Sequence, residues 1–194
     1  MAIIKSQINP KAEILSSIIK SNFDTKKPLI IAVCGRSCSG KTTLTNILAQ
    51  YLGANVFHID DFCSAKDNDK KLVPHLDNLR FKKEILQPLS KKKTIFYKPY
   101  NCYLDRIEKA QKINYKNINF IEGSYSLHPK FLPFIDFCIF INISKKEQLN
   151  RLKKRENNPN IKAYKKCWLP REESFFNYLQ KENLLLKKPC LYFE

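Results

Sequence analysis

The chain has 194 residues, enough for one domain with a sizeable core, and its 35 Lys and Arg against 18 Asp and Glu give a net charge of +17. No apolar run approaches the ~20 residues of a membrane span, and the opening Met1-Ala2-Ile3-Ile4-Lys5 lacks the apolar core of a signal peptide, so membrane and secreted classes are not expected. The lysines are spread through a chain also rich in Asn and Ile, which favours a compositional bias over a polyanion-binding surface, although the excess would help attract a polyphosphate.

In chain order, Asn9-Pro10 reads as an N-cap followed by proline at the first helical position. Ile14, Leu15, Ile18, Ile19 and Phe23 fall on one apolar stripe, so residues 1–27 read as an N-terminal helical extension packed on a single domain spanning 1–194. After a break at Lys26-Lys27-Pro28, Leu29-Ile30-Ile31-Ala32-Val33-Cys34 is a short apolar run of the kind buried on both faces of a parallel sheet. Directly behind it, Gly35-Arg36-Ser37-Cys38-Ser39-Gly40-Lys41-Thr42 satisfies the pattern G-x-x-x-x-G-K-[ST] at every fixed position. Leu44, Ile47, Leu48, Tyr51 and Leu52 then recur at helical spacing, and Gly53 is placed to end that helix. A strand, loop and helix in this order turn free N–H groups and the positive helix end toward a bound anion. Gly35 and Gly40 permit dihedrals and close approach that a Cβ would hinder. Ser37, Cys38, Ser39 and Thr43 complete the nucleotide-contacting stretch, Lys41 can reach the β- and γ-phosphates, and Thr42 supplies a hydroxyl to Mg²⁺.

Residues 55–59 look like a second strand ending at Asp60-Asp61, followed by a polar, irregular loop over 64–76. Residues 79–89 are expected to be helical, with Phe81, Ile85, Leu86 and Leu89 on the apolar side and Pro88 near the end. The short alternating segments 94–97 and 112–115 fit a hairpin-like excursion on one flank. Residues 119–123 form a strand with an acidic end at Glu122, and 137–143, the most hydrophobic strand, is expected to be central. A helix over 145–156 carries Arg151, Lys154 and Arg155 on neighbouring turns, and Asn157-Asn158-Pro159-Asn160 breaks it. A last helix covers 171–182 and residues 190–193 add a terminal strand. This alternation implies a three-layer α/β/α domain with a mainly parallel sheet and a small β-hairpin and lid excursion. Ligands of such sheets lie beyond the C-terminal ends of the strands.

Three strand ends carry candidate chemistry: the loop after Cys34, Asp60-Asp61 after Ile59, and Glu122 after Ile121. Phosphoryl transfer needs an anion cradle, a metal and a base for the acceptor. Asp60 is preferred over Asp61 as that base, Asp61 being an alternative that otherwise caps the next segment. Thr42, Glu122 and Asp60 make up the candidate Mg²⁺ set. Arg151 and Arg155, with Lys154, are candidates to fold over the transferring phosphate, a solvated helix face being the alternative. The seven cysteines show no C-x-x-C pair and no zinc spacing, and are expected to be reduced thiols of a cytoplasmic protein that behave as small hydrophobes. Cys38 is the exception, because it lies inside the loop, where oxidation would block a nucleotide.

Taken together, these residues resemble the uridine kinase-like branch of the P-loop kinases, which includes phosphoribulokinase relatives, over about residues 29–176. Six signatures occur in order: 35–42; His58-Ile59-Asp60-Asp61-Phe62; Leu76-Asp77 with 80–89; Tyr97-Lys98-Pro99-Tyr100-Asn101-Cys102; Ile121-Glu122-Gly123-Ser124-Tyr125-Ser126-Leu127-His128-Pro129; and 151–156. The first occurs in many folds, and the order of all six carries the resemblance. It implies ATP- or GTP-dependent, Mg²⁺-assisted phosphorylation of a hydroxyl on a small-molecule acceptor, often the 5′-hydroxyl of a nucleoside. It further implies that Asp60 activates the acceptor, that Thr42 and Glu122 serve Mg²⁺, that Asp77, Arg80, Tyr97 and Tyr100 line the acceptor pocket, and that Arg151 and Arg155 belong to the lid. Rival accounts of these residues are packing for Tyr97 and Tyr100, an i,i+4 ion pair with Glu84 for Arg80, and a turn role for His128.

The sequence departs from the family pattern at Asn101, where an aspartate is usual, at Phe62-Cys63, where an aromatic pair is commoner, and in a short, Asn-rich lid. These changes bear on uridine or cytidine as acceptor more than on kinase chemistry, and relatives act on pantothenate, nicotinamide riboside or sugar phosphates. The alternative from another class is a nucleic-acid-associated P-loop ATPase or polynucleotide kinase, motivated by the net charge. It predicts salt-sensitive retention of DNA or RNA in a filter-binding titration. Against it, the aromatics are not set in a basic, base-stacking array. A nucleotide binder without catalysis is disfavoured by the intact Lys41, Thr42, Asp60 and Glu122. A membrane partner is not expected, and a homo-oligomer is left open.

Overall fold

The computed structural model describes residues 10–24, 27–63, 72–101, 104–155 and 161–193. The expected cap at Asn9, most of the 64–76 loop, Cys102, Glu156 and the break at 157–160 lie outside the described residues. Helix α1 (Pro10–Asn22) leads into β1 (Leu29–Gly35), α2 (Lys41–Leu52) and β2 (Asn55–His58), which ends in a 3₁₀ turn at Ile59–Phe62. Next, α3 (Asn78–Phe81) continues through a π turn (Lys82–Leu86) into α4 (Gln87–Ser90). Four short strands follow: β3 (Ile95–Tyr97), β4 (Tyr100–Asn101), β5 (Arg106–Ile107) and β6 (Gln111–Ile113). The remaining elements are β7 (Ile118–Glu122), β8 (Phe137–Ile141), α5 (Lys145–Lys154), α6 (Ile161–Ala163), a π turn (Tyr164–Trp168), α7 (Leu169–Lys181) and β9 (Cys190–Phe193).

Strands β2, β7, β1, β8 and β9 form one sheet in that order, every pairing parallel. The architecture is the expected three-layer α/β/α arrangement. Strand β1 alternates Ile30, Ala32 and Cys34 into one core with Phe57, Phe62, Phe81 and Phe175, and Leu29, Ile31 and Val33 into a second with Leu15, Ile19, Leu44 and Leu48. Both faces are therefore covered, which is why the run contains no polar residue. The excursion is two separate antiparallel ribbons, β3 with β6 and β4 with β5, and neither joins the main sheet.

Several expectations are corrected. Strand β8 lies between β1 and β9, so β1 and not β8 is central; β8 is hydrophobic because helices cover both of its faces, a property it shares with its neighbour. In α1 the buried stripe is Ala12, Leu15, Ser16 and Ile19, whereas Ile14 is 60% exposed. The last helical stretch starts at Ile161, ten residues earlier than the sequence signals suggest. Finally, Cys138 and Cys190 are register partners with Cα atoms 4.4 Å apart and form a disulfide, so the seven cysteines are not all thiols. Cys34, Cys38 and Cys167 are free thiols. Burial pushes the Cys34 thiol up to about 11, as befits a small buried hydrophobe. No helix among the described residues is long and apolar enough to cross a membrane.

Candidate active site

The loop between β1 and α2 owes its path to two glycines. Gly35 has φ +141°, and a Cβ there would sit 2.0 Å from the Ile141 carbonyl oxygen of β8. Gly40 has φ +94° and is the residue before α2, with no side chain capping that helix. The first N–H groups of α2 are thus left for an anion. Gly35→Ala is expected to lose about 3 kcal/mol or more, from a left-handed φ and a backbone clash together. A thermal melt within a few degrees of the parent would contradict that close approach.

Lys41 is buried at 7% exposure, and its Nζ donates to the Arg36 carbonyl at 2.9 Å, folding back across the loop. The Ser39 hydroxyl is buried without a protein hydrogen-bond partner, a donor that a bound phosphate would satisfy. Thr42 and Thr43 are exposed on the first turn of α2. From α5, Arg151 donates through Nη1 to the Cys38 carbonyl at 3.3 Å and through Nε to Glu147 at 2.7 Å, so this predicted lid residue meets the loop directly. Arg155 ends α5 as an exposed cap residue.

Beside the loop, the ends of β2 and β7 bring their acids together. Glu122 is buried, and its Oε2 lies 2.8 Å from His58 Nδ1. The hydrogen bond to Glu122 outweighs burial and raises the His58 pKa above 6.5. A histidine whose folded pKa is raised contributes stability that is fully present below the unfolded value and fades as pH rises through the folded one. His58→Gln should therefore cost more melting temperature at about pH 6 than at about pH 9; a difference that does not change with pH would exclude a titrating pair.

Asp60 is exposed at the surface, yet enough protein surrounds it to desolvate its carboxylate. The exposure decides whether a substrate can meet it, and the crowding decides its titration. Desolvation, then repulsion from Glu122, raise its pKa, while Lys41 and His58 pull the other way. Asp61, one residue on, faces a different group: its Oδ2 accepts from the Tyr97 hydroxyl at 3.1 Å and its carbonyl from Arg80 Nη2 at 2.8 Å. Desolvation raises the Asp61 pKa, and the Tyr97 hydrogen bond opposes it.

The predicted acceptor residues divide. Tyr97 is buried and stacks on Phe62 at 5.4 Å, and the Arg80 guanidinium lies 4.5 Å over the same ring. Arg80 also lies 3.7 Å from Glu84 and donates to the Lys98 carbonyl. Asp77 caps α3 by accepting from the Arg80 N–H at 3.1 Å. Tyr100 donates to Asp105, and Asn101 donates to Glu108 and accepts from the Leu104 N–H, so both brace the β4–β5 ribbon. His128 is buried in its turn, accepting from the Lys130 N–H, and burial lowers its pKa to about 4.

Among the described residues no group of three or more His, Cys, Asp or Glu is placed to hold a metal by itself. Mg²⁺ typically takes one or two protein oxygens and completes its shell with phosphate and water. Thr42, Asp60 and Glu122 offer a hydroxyl and two carboxylates of that kind.

By sequence, no family model and no curated protein matches the chain. By structure it is similar to a possible uridine kinase from Bacillus stearothermophilus, at 20% identity and TM-score 0.71 over 97% of this chain and 100% of that one. It is also similar to the YGR205w protein, at 16% identity and TM-score 0.60 over 93% and 91% of the two chains. A D-glycerate 3-kinase from Cryptococcus neoformans var. grubii aligns at 12% identity and TM-score 0.51 over 87% and 88%. The chain has the fold of the uridine kinase-like P-loop kinases. Within that fold, three residues near the loop and the strand ends had no role in the motifs. His58 stood inside a signature without a role, and its signal was a position two residues before Asp60 at a strand end. Glu172 and Gln148 carried no assignment, and both are buried at 2% exposure.

Proposed function

We propose that the chain is an ATP-dependent (or GTP-dependent) small-molecule kinase that transfers the γ-phosphoryl group to a hydroxyl of a nucleoside-like acceptor. The observation that carries this reading is the meeting of Lys41, Asp60 and the His58–Glu122 pair beside a glycine-shaped loop at the ends of β1, β2 and β7. In this scheme the N–H groups of the loop and of the start of α2 hold the phosphates. Lys41 exchanges the Arg36 carbonyl for phosphate oxygens, and Arg151, already against the loop, adds positive charge as the phosphoryl group moves. Asp60 takes the proton of the acceptor hydroxyl, its raised pKa matching it to that task better than an ordinary carboxylate. His58 holds Glu122 in place. Mg²⁺, held by Thr42 with Asp60 and Glu122, would neutralise phosphate charge when bound.

Asp61, next to Asp60, is bonded to Tyr97 and Arg80, and in this reading the three supply polar atoms for the acceptor. A nucleoside triphosphate substrate fits a cytoplasmic setting, in which the Cys138–Cys190 disulfide would be exceptional. The test is ADP release by the purified chain with ATP or GTP and Mg²⁺ across a panel of nucleosides, vitamins and sugar phosphates. One acceptor class is expected to raise release at least about tenfold above the acceptor-free rate. A panel in which no acceptor raises it rejects the reading.

A further inference from the structure

Glu172, near the start of α7, is a buried acid facing the outside of the phosphate loop. Its Oε1 accepts from the Ser37 N–H at 2.7 Å, the Ser37 hydroxyl at 2.7 Å and the Ser124 hydroxyl at 2.8 Å; its Oε2 accepts from Gln148 Nε2 at 2.6 Å. These donors come from the loop, from the turn just after Glu122 and from the helix that carries Arg151. A carboxylate is costly to bury unless its lone pairs are filled, and here four donors fill them.

The Ser37 N–H belongs to the same peptide unit as the Arg36 carbonyl. That carbonyl accepts from Lys41 Nζ at 2.9 Å and from the Ser39 N–H at 3.1 Å. In a planar trans peptide the N–H and C=O point in opposite directions. Fixing the N–H outward on Glu172 therefore fixes the carbonyl inward toward Lys41. The neighbouring Glu173 holds the Arg36 side chain at 2.7 Å and Lys145 of α5 at 3.2 Å, so the loop is also tied to α7 and α5 through that side chain. Building on the kinase reading, we propose that Glu172 is a positioning residue, which sets the orientation of the Arg36–Ser37 peptide and through it the phosphate loop and Lys41.

Geometry, charge and bulk stability predict different orders among variants. Glu172→Gln keeps the reach: its carbonyl can take the three Oε1 donors, and its amide can face Gln148 after that side chain turns over. Glu172→Asp keeps the charge but withdraws the carboxylate by one methylene. Calorimetric titration with MgATP, on proteins shown by melting to be folded, is expected to place Glu172→Gln within about threefold of the parent. Glu172→Asp and Glu172→Ala should bind about tenfold or more weaker. A Glu172→Asp protein that binds as tightly as Glu172→Gln, or more tightly, overturns the proposal, as do variants that all bind like the parent. If Glu172→Ala does not fold, the Gln and Asp pair decides. Failure of the parent itself to bind MgATP would instead reject the nucleotide site and the kinase reading with it.

Discussion

Replacing Lys41 with alanine is expected to lower phosphoryl transfer by at least about 10³-fold while the domain stays folded. The ammonium is the cation that the loop buries, and its partner is a loop carbonyl rather than another side chain. Its removal takes away the charge best placed to follow phosphate oxygens as negative charge builds on them. The N–H groups at the start of α2 remain, so nucleotide affinity should fall less than turnover. Steady-state rates with the acceptor found in the panel, set beside a melting curve, make the measurement. An unaltered rate in a folded Lys41→Ala protein removes the kinase assignment altogether.

Asp60→Asn is expected to cut kcat by about 10²–10⁴-fold with nucleotide affinity within about threefold. Asparagine keeps the shape of the side chain but loses its charge, and with it both the ability to take a proton and a carboxylate ligand for Mg²⁺. Equal losses in kcat and in affinity would mean that the carboxylate binds rather than activates. The pH profile offers a second handle. Desolvation and Glu122 raise the Asp60 pKa above 3.8, and the active form is the deprotonated one. Activity in the parent should therefore rise with pH along an acid limb displaced upward from the ordinary carboxylate range. With Glu122, His58 and Asp61 so close, the limb will report the cluster rather than one residue. Glu122→Gln removes one repelling charge and should move that limb back down.

The parts legible in the sequence are those fixed by neighbours along the chain. The loop pattern, the β1 run and the α2 periodicity are local, and Gly53 caps α2 in the left-handed conformation as its position suggested. The pairing of β3 with β6 was likewise visible as alternation on both sides of a short excursion. Long-range choices were not legible. Hydrophobicity marks β8 as buried but does not say which strands flank it. Cys138 and Cys190 are separated by 52 residues and carry no spacing rule that pairs them. Glu172 meets Ser37 across 135 residues, and Arg171-Glu172-Glu173 has the charge pattern of a wet helix face. The aspartate at 77 illustrates the same limit: its place ahead of α3 lets it cap the helix, while any contact with an acceptor depends on partners that the motif does not name.

The central place of β1 has a consequence for synthesis. Leu29 pairs in register with Ile118, and Ile31 with Phe137, so both neighbours of this strand are translated long after it. A nascent chain that has exposed only its first half carries the entire nucleotide motif without the scaffold that shapes it. Such non-local pairing slows folding and leaves an apolar strand waiting for partners. ATP binding should accordingly arise late on the ribosome, and a fragment stopped before Ile118 should lack it.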